Sequence, residues 1–485
     1  MGIISQGSIS ILIFPIIYYM SKVKFINRSG NTVCIPSINK NIPYIDNEIQ
    51  EIDLDDIKKA KGFLKFIQLG KFEIVECGNS LFERNLLKMQ KNIVIKEDGI
   101  DMNIEKSKQI EVKIRGSFYE AGGYAKVNRN LAFGLSASNV KVQAESVNRM
   151  KYGLNEQEAI LLSRIQSPVS RDAIVIDSMI PSMTEIGSGK YKILYTTIEA
   201  SSMPQQFEEI MNMYNEIWVT SNFCKEIVSK YKVKPPVYVI PSSININLYN
   251  ENCKPYEFDP PLKDFIFISV FGWGYRKGYD VLLRSYLEEF SGDENVSLLL
   301  RTGLPYDTGR NNIVKDTVEK FIKKYGGKNP AHIARCSRSF TDSDMPSMYK
   351  ACNAFVLFTR GEGFSLCPAE ASLCGLPTIS TNYSGHTMFM NKDNSYLIDI
   401  DEIEEIPAGL MDIHYWDNQK FPRLTSDKVI GDARYAMRYV YENYDKAKKK
   451  NNKLKRFIAE NYNMGTVSKL AGDRLIDIWR STTFT

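Results

Sequence analysis

From residue 110 to residue 400, short apolar runs closed by Gly, Asn or Pro alternate with stretches of helical period. Ile110-Glu111-Val112-Lys113-Ile114-Arg115 alternates apolar and polar positions as a strand does, and Gly122-Gly123 then opens a helix carrying Asn130, Leu131, Ala132 and Leu135. Ala173–Ile176, Lys192–Thr196, Ile217–Thr220 and Val237–Ile240 read as further strands, separated by helical stretches. After residues 241–263, rich in Pro, Asn and Ser and read as a linker, the pattern resumes. Its strands are Phe265–Val270, Val296–Leu300, His332–Arg335, Ala354–Phe358 and Thr378–Thr381, with helices over Val281–Phe290 and Pro368–Cys374. Strand and helix in strict alternation imply parallel sheets covered by helices, here two of them in series.

The flanks differ. Val23–Ile26, the turn Asn27–Asn31, Thr32–Pro36, a helix capped by Asp53-Leu54-Asp55-Asp56 and running to about Leu69, and Phe72–Val75 form a small α+β unit. It carries no chemical constellation and reads as a packing or docking module. Ile9–Tyr19 is apolar but shorter than the roughly 20 residues that span a bilayer. No Lys or Arg precedes it and no small-residue cleavage site follows, which makes it a poor signal peptide. Met20-Ser21-Lys22 looks like a natural start, so residues 1–19 are either a leader of doubtful status or a weak membrane-contact segment. Beyond Val440 the pattern is helical. Lys446–Arg456 holds seven basic residues, first a solvated face and second a patch for an anionic membrane or nucleic acid.

A chain of 485 residues exceeds what one core accommodates, and 43% hydrophobic with 25% charged residues is ordinary globular composition. The net charge of +5 neither demands nor excludes an anionic partner. Eight cysteines without a CxxC pair, and three histidines all in the C-terminal half, argue against a zinc site and a disulfide framework and fit a reducing cytosol.

The densest chemistry lies in Arg360-Gly361-Glu362-Gly363-Phe364-Ser365-Leu366-Cys367-Pro368-Ala369-Glu370. A strand, a Gly-flanked turn and a helix with Pro in its first turn put backbone N–H groups at a positive helix end, where a diphosphate can sit. Glu362 precedes that helix and Glu370 lies near its start. Taken alone, each is an ordinary loop or first-turn acid. A second cluster, Phe271-Gly272-Trp273-Gly274-Tyr275-Arg276-Lys277-Gly278, follows the first strand of the second sheet, the strand end at which open α/β sheets bind ligands. Asp342-Ser343-Asp344 imitates a metal-binding DxD, but its place before Met345-Pro346 favours helix capping, so no metal is implied. His386, in the loop after the Thr378 strand, is as readily structural as functional.

The run EGFSLCPAEASLCGLPTI resembles the E-x7-E signature of family-4 (group 1) retaining glycosyltransferases, which have the GT-B fold of two facing Rossmann-like domains. The resemblance covers about residues 109–480 and is most specific over 265–385. It implies that Glu370 holds the ribose of a nucleotide-sugar, that Glu362 contacts the transferred sugar, and that the backbone of Gly363, Phe364 and Ser365 touches the diphosphate. It places Lys277, with Arg276, beside the leaving group. The family commonly has an Arg where this chain has Gly272, a departure for which Arg276 is the candidate substitute. Gly122 and Gly123 resemble the loop that faces the donor from the N-terminal domain, and Tyr195-Thr196-Thr197-Ile198-Glu199 a strand end leading to the same cleft.

The expected architecture is therefore GT-B, α/β, with a small α+β appendage: residues 20–105 the appendage, 106–258 an acceptor domain, 259–450 a donor domain, and 451–485 a helix returning to the N-terminal domain. The expected activity is transfer of a hexosyl unit from a UDP- or GDP-linked sugar, with retention, without a cofactor or an obligatory metal. The acceptor stays open among saccharide, lipid-linked sugar, protein and modified DNA base. The expected location is cytoplasmic, with contact at a membrane surface left open. The alternative is a non-catalytic nucleotide-sugar-binding or structural protein on the same fold. A phosphorylase-like reaction would need a pyridoxal-bearing lysine context that the sequence does not offer.

Overall fold

The computed structural model describes residues 109–483 apart from 139, 148–153, 155, 184, 304–311, 337–339 and 412–413, together with five strands between residues 22 and 76. Two compact units divide the chain, Met1–Ser107 and Lys108–Thr485. In the first, β1 (Lys22–Asn27), β2 (Val33–Ile35), β3 (Lys40–Ile42), β4 (Gln50–Asp53) and β5 (Phe72–Glu76) are described. They form an antiparallel sheet of order β4-β1-β5 and a separate β2-β3 pair. Asp53, read as the start of a helix cap, ends β4; the helix expected to follow, and residues 1–19, lie outside the described residues.

The second unit opens with β6 (Glu111–Gly116), α1 (Gly123–Ser136), β7 (Lys141–Ser146), α2 (Glu156–Arg164), β8 (Ile174–Ser178), β9 (Tyr191–Thr196), α3 (Gln205–Met211), β10 (Glu216–Val219), α4 (Asn222–Val228) and β11 (Val237–Val239). Its six strands are parallel in the order β11-β10-β9-β8-β6-β7. β7 has no counterpart in the sequence reading. Lys141-Val142-Gln143-Ala144-Glu145-Ser146 is a sheet edge with only Val142 and Ala144 buried, too polar to stand out as a buried run.

A second parallel sheet follows: β12 (Phe265–Gly272), α5 (Tyr279–Glu289), β13 (Val296–Gly303), α6 (Asn312–Tyr325), β14 (His332–Cys336), α7 (Met345–Lys350), β15 (Ala354–Leu357), α8 (Leu366–Leu373), β16 (Thr378–Thr381) and β17 (Tyr396–Ile398). Its order is β14-β13-β12-β15-β16-β17. β15 and β16 are buried along their whole length, as strands covered on both faces must be. In each sheet the strand order reverses at its first strand, β6 or β12, and a crevice opens at that switch point.

Five later elements complete the unit, and two parts of them tie the halves together, the β18–β19 pair and α11. The antiparallel pair β18 (Ile403–Glu405) and β19 (Lys420–Pro422) brings Ile406, Trp416 and Phe421 into one core with Leu194, Ile198 and Phe207 of the N-terminal half. α9 (Asp427–Glu442) and α10 (Tyr444–Asn461) cover the C-terminal half, where Ala447, Leu454 and Ile458 join its core and Lys446, Lys449, Lys453 and Arg456 stay exposed. α11 (Met464–Thr483) packs on α1, burying Val467, Ala471, Leu475 and Ile478 beside Leu131 and Leu135. At about 1.5–3 kcal/mol per fully buried aliphatic side chain, this face is enough to hold the helix on the N-terminal half. At its outer edge the Arg474 guanidinium pairs with the fully buried Glu216 carboxylate at 2.6 Å. Among the described residues, no helix is long and apolar enough to cross a membrane.

Candidate active site

The two crevices face each other and form one cleft of about 510 Å³. That volume suits a ligand the size of a nucleotide-sugar.

The C-terminal wall is built by the turn between β15 and α8. α8 begins at Leu366, two residues earlier than the pattern of Pro368–Cys374 indicates, and Ser365 at its N-cap takes a left-handed φ of 75°. Phe364 anchors the turn from below, its ring 5.2 Å from that of Phe389 and 5.4 Å from that of Tyr462. Gly363 presses against the other half: its carbonyl accepts from Thr220 Oγ1 at 3.1 Å, and a Cβ there would stand 1.3 Å from Thr197 Oγ1. Only glycine permits that approach.

Glu362 is buried at the mouth of this turn. Its Oε1 accepts from Lys277 Nζ at 2.5 Å, from Thr359 Oγ1 at 3.1 Å and from Arg276 Nη1 at 3.4 Å. Burial pushes its carboxyl up, but the Lys277 and Arg276 charges outweigh burial and hold it below the usual carboxylate range. Glu362 is therefore a carboxylate at neutral pH. Lys277 ends the short turn Tyr275–Lys277 after β12, the side of the crevice on which the sequence placed it. Arg276 is more committed than the sequence suggested: Nη1 donates to Gly361 O at 2.6 Å and Nη2 pairs with Glu199 Oε1 at 3.1 Å. Glu199 Oε2 accepts from Trp416 Nε1 at 3.0 Å, so both oxygens of its carboxylate are held by residues that follow the linker. Gly272 ends β12 in open space, where an added Cβ would meet nothing within 4 Å.

Glu370, the fifth of the eight residues of α8, is 2% exposed. Lys126, from α1 of the opposite half, donates to its Oε1 at 2.9 Å, and Tyr349 OH to its Oε2 at 3.4 Å. Gly122 and Gly123 lie at the start of the same α1 and border the cleft.

One expectation changes, and one open alternative is decided. The Asp342-Ser343-Asp344 segment is not a side-chain cap of α7. Asp344 accepts instead from Thr341 N and Oγ1, both at 2.8 Å, bracing the turn before the helix. Asp342 is buried and paired instead with two cations of α1, Lys126 at 2.9 Å and Arg129 at 2.8 Å. His386 does not border the cleft. It is fully buried, with Nε2 near Thr381 O at 2.7 Å, and burial lowers its pKa below the ordinary value.

Lys126, Asp342, Arg301 and Trp416 were not singled out as site residues in the sequence. The one available signal was Lys126, a cation in the first turn of the helix, three residues beyond Gly123.

The sequence pattern of the group 1 glycosyl transferases matches residues 263–413, spanning the β12–β17 sheet and part of the segment that docks on the other half. Among curated proteins, mannosylfructose-phosphate synthase of Agrobacterium fabrum is 26% identical over 110 residues, 23% of this chain and 24% of that protein. A UDP-Gal:α-D-GlcNAc-diphosphoundecaprenol α-1,3-galactosyltransferase of Escherichia coli is 32% identical over 89 residues, 18% of this chain and 20% of that protein. The matches thus span about a fifth to a quarter of those relatives. Among solved structures, sucrose-phosphate synthase of Thermosynechococcus elongatus superposes with a TM-score of 0.54 at 12% identity, over 77% of this chain and all of that one. Anabaena Alr3699/HepE in complex with UDP and glucose gives 0.53 at 12% identity, over 76% of this chain and all of that one. These similarities give the fold, two facing Rossmann-like halves of the GT-B type.

Proposed function

We propose, from the premise that residues 263–413 form a group 1 glycosyl transferase domain, that the protein transfers a hexosyl unit from a UDP- or GDP-linked sugar to an acceptor hydroxyl. One observation carries this reading: Lys277, Glu362 and Glu370 of the C-terminal half border a single cleft with Gly122, Gly123 and Glu199 of the N-terminal half.

In this reading Glu370 accepts hydrogen bonds from the ribose hydroxyls, and the diphosphate lies along Gly363–Ser365 at the start of α8. Lys277 faces the leaving phosphate, and its charge stabilises the negative charge that grows as the bond from the anomeric carbon to the phosphate oxygen breaks. The Glu362 carboxylate, held by Lys277 and Arg276, orients the transferred sugar. Arg276 fixes Glu199 and Glu362 relative to each other and adds positive charge. The new bond joins the anomeric carbon to the acceptor oxygen with retention, and the acceptor proton passes to the leaving phosphate. No cofactor takes part, and fixed protein groups rather than a divalent ion meet the leaving charge. The acceptor enters past Gly122–Gly123 and belongs to the class of saccharides, lipid-linked sugars, proteins or modified bases.

The test is calorimetry with UDP, GDP and their hexose conjugates, followed by turnover assays. Glu370→Ala should weaken nucleotide binding by about 1.5–3 kcal/mol, the loss of a charged hydrogen-bond partner. An unchanged affinity removes Glu370 from the ribose site. Binding without turnover on any acceptor would select the non-catalytic reading.

A further inference from the structure

We infer that Lys126 belongs to the nucleotide site itself, donating to a ribose hydroxyl oxygen that Glu370 holds, so that the ribose pocket is built by both halves of the molecule. The inference rests on the nucleotide-sugar reading above and assigns a binding role to a residue outside the signature motifs.

An ammonium has three N–H donors and no acceptor. Those of Lys126 meet three oxygens: Glu370 Oε1 at 2.9 Å, Asp342 Oδ1 at 2.9 Å and Tyr249 OH at 3.0 Å. Lys126, Asp342 and Glu370 border the main cleft. Tyr249 does not border that cleft; it lines a void of about 20 Å³ on the linker side, with Ser243 and Asn245, which Lys126, Asp342 and Glu370 border as well. The ammonium is thus held from behind by Tyr249 and flanked by two carboxylates that front the ligand space. Burial disfavours its charge, but Glu370, Tyr249 and Asp342 outweigh burial and keep it protonated.

Asp342 is the anchor that gives Lys126 a fixed place. Its second oxygen accepts from Arg129 Nη2 at 2.8 Å, while Arg129 Nη1 donates to Phe118 O at 2.7 Å and Glu120 O at 2.9 Å. The same network therefore braces the loop that leads into Gly122–Gly123.

The chemistry of a ribose diol completes the argument. Each hydroxyl both donates and accepts. An ionised Glu370 can only accept, so it satisfies the donors and leaves the oxygens without a partner. A cation already 2.9 Å from Glu370 Oε1 is the complement those oxygens require. A ribose hydroxyl entering between them takes over one of the three ammonium bonds, while Asp342 and Tyr249 keep Lys126 in position.

The experiment compares UDP, 2′-deoxy-UDP and 3′-deoxy-UDP by calorimetry on the full chain, wild type against Lys126→Met. Wild type should prefer UDP over at least one deoxy form. In the variant that preference should shrink by about tenfold or more, the scale of a hydrogen bond from a charged donor. An equal weakening of all three ligands, as loss of a mere tie between the halves would give, overturns the inference, as does no change. Absence of any nucleotide binding by wild type would instead overturn the underlying functional reading as well. Should the variant not fold, a crystal structure of the wild-type complex with UDP decides: Lys126 Nζ within hydrogen-bond distance of a ribose hydroxyl supports the assignment, and its absence there refutes it.

Discussion

Lys277 and Glu362 meet at 2.5 Å, and this pair sets what single residues do in the cleft. Lys277 is the cation nearest the Glu362 carboxylate and has no other ion-pair partner among the described residues, whereas Arg276 is divided among Gly361 O, Glu199 and Glu362. Lys277→Ala should lower turnover about 10²–10³-fold, the typical effect of removing one group that stabilises charge in the transition state. Lys277→Arg should restore only part, because a planar fork cannot occupy the place of a point charge. Turnover like wild type in the Ala variant would move the phosphate role elsewhere. His386 sets a second expectation. Its folded pKa lies below the ordinary 6.5, so as pH falls below that value the unfolded chain takes up a proton that the native state resists. Stability is therefore full above about 6.5 and declines below it. Glu362, also lowered, adds a similar loss only below its ordinary 4.5. Urea midpoints at pH 7.5 and 5.5 should differ for wild type, and His386→Asn should shrink the difference.

Among the elements, the short turn between β12 and α5 has no room for a side chain at its glycine. Gly278 sits at φ 68° between the Tyr275–Lys277 turn and α5, and a Cβ there would lie 1.7 Å from Phe358 O. A left-handed residue with a side chain costs about 1–2 kcal/mol before any clash. Gly327, at φ 60°, has nothing within 4 Å of its would-be Cβ and serves as the control. Chemical denaturation should give a loss near that strain alone for Gly327→Ala and a clearly larger one for Gly278→Ala. Equal losses would mean that the Phe358 carbonyl moves aside without effect. Most strand interiors in the two sheets were legible from their apolar runs: β16 has the bounds read from the sequence, β9 and β15 differ by one residue at one end, and β10 lies one residue earlier at both. α8 was legible as a helix but not at its start, since nothing in Ser365-Leu366-Cys367 announces an N-cap with positive φ.

Across the whole molecule, the cleft carries fixed cations from both halves: Lys126 from α1, and Arg276, Lys277 and Arg301 from the β12–β13 side. A helix N-terminus contributes only about 0.3–2 kcal/mol to an anion, so in the proposed reaction Lys277 and Arg276 have to supply much of the stabilisation of the departing diphosphate. Turnover should accordingly survive excess EDTA. Complete loss that manganese or magnesium restores would contradict a reaction without a divalent ion.

The sequence by itself determined the α/β class, the two parallel sheets and the region around Glu362, Glu370 and Lys277, because apolar periodicity, Gly turns and first-strand position are local properties written into consecutive residues. Tertiary structure alone decided where Asp342 and Lys126 belong. They are 216 positions apart, and their ion pair forms only when α1 and the loop before α7 are brought to opposite walls of one cleft. A local pattern assigns an acid before a helix to its nearest amides. In the folded chain the buried Arg129 and the half-buried Lys126 take that carboxylate, since a charge inside the molecule has to be paired.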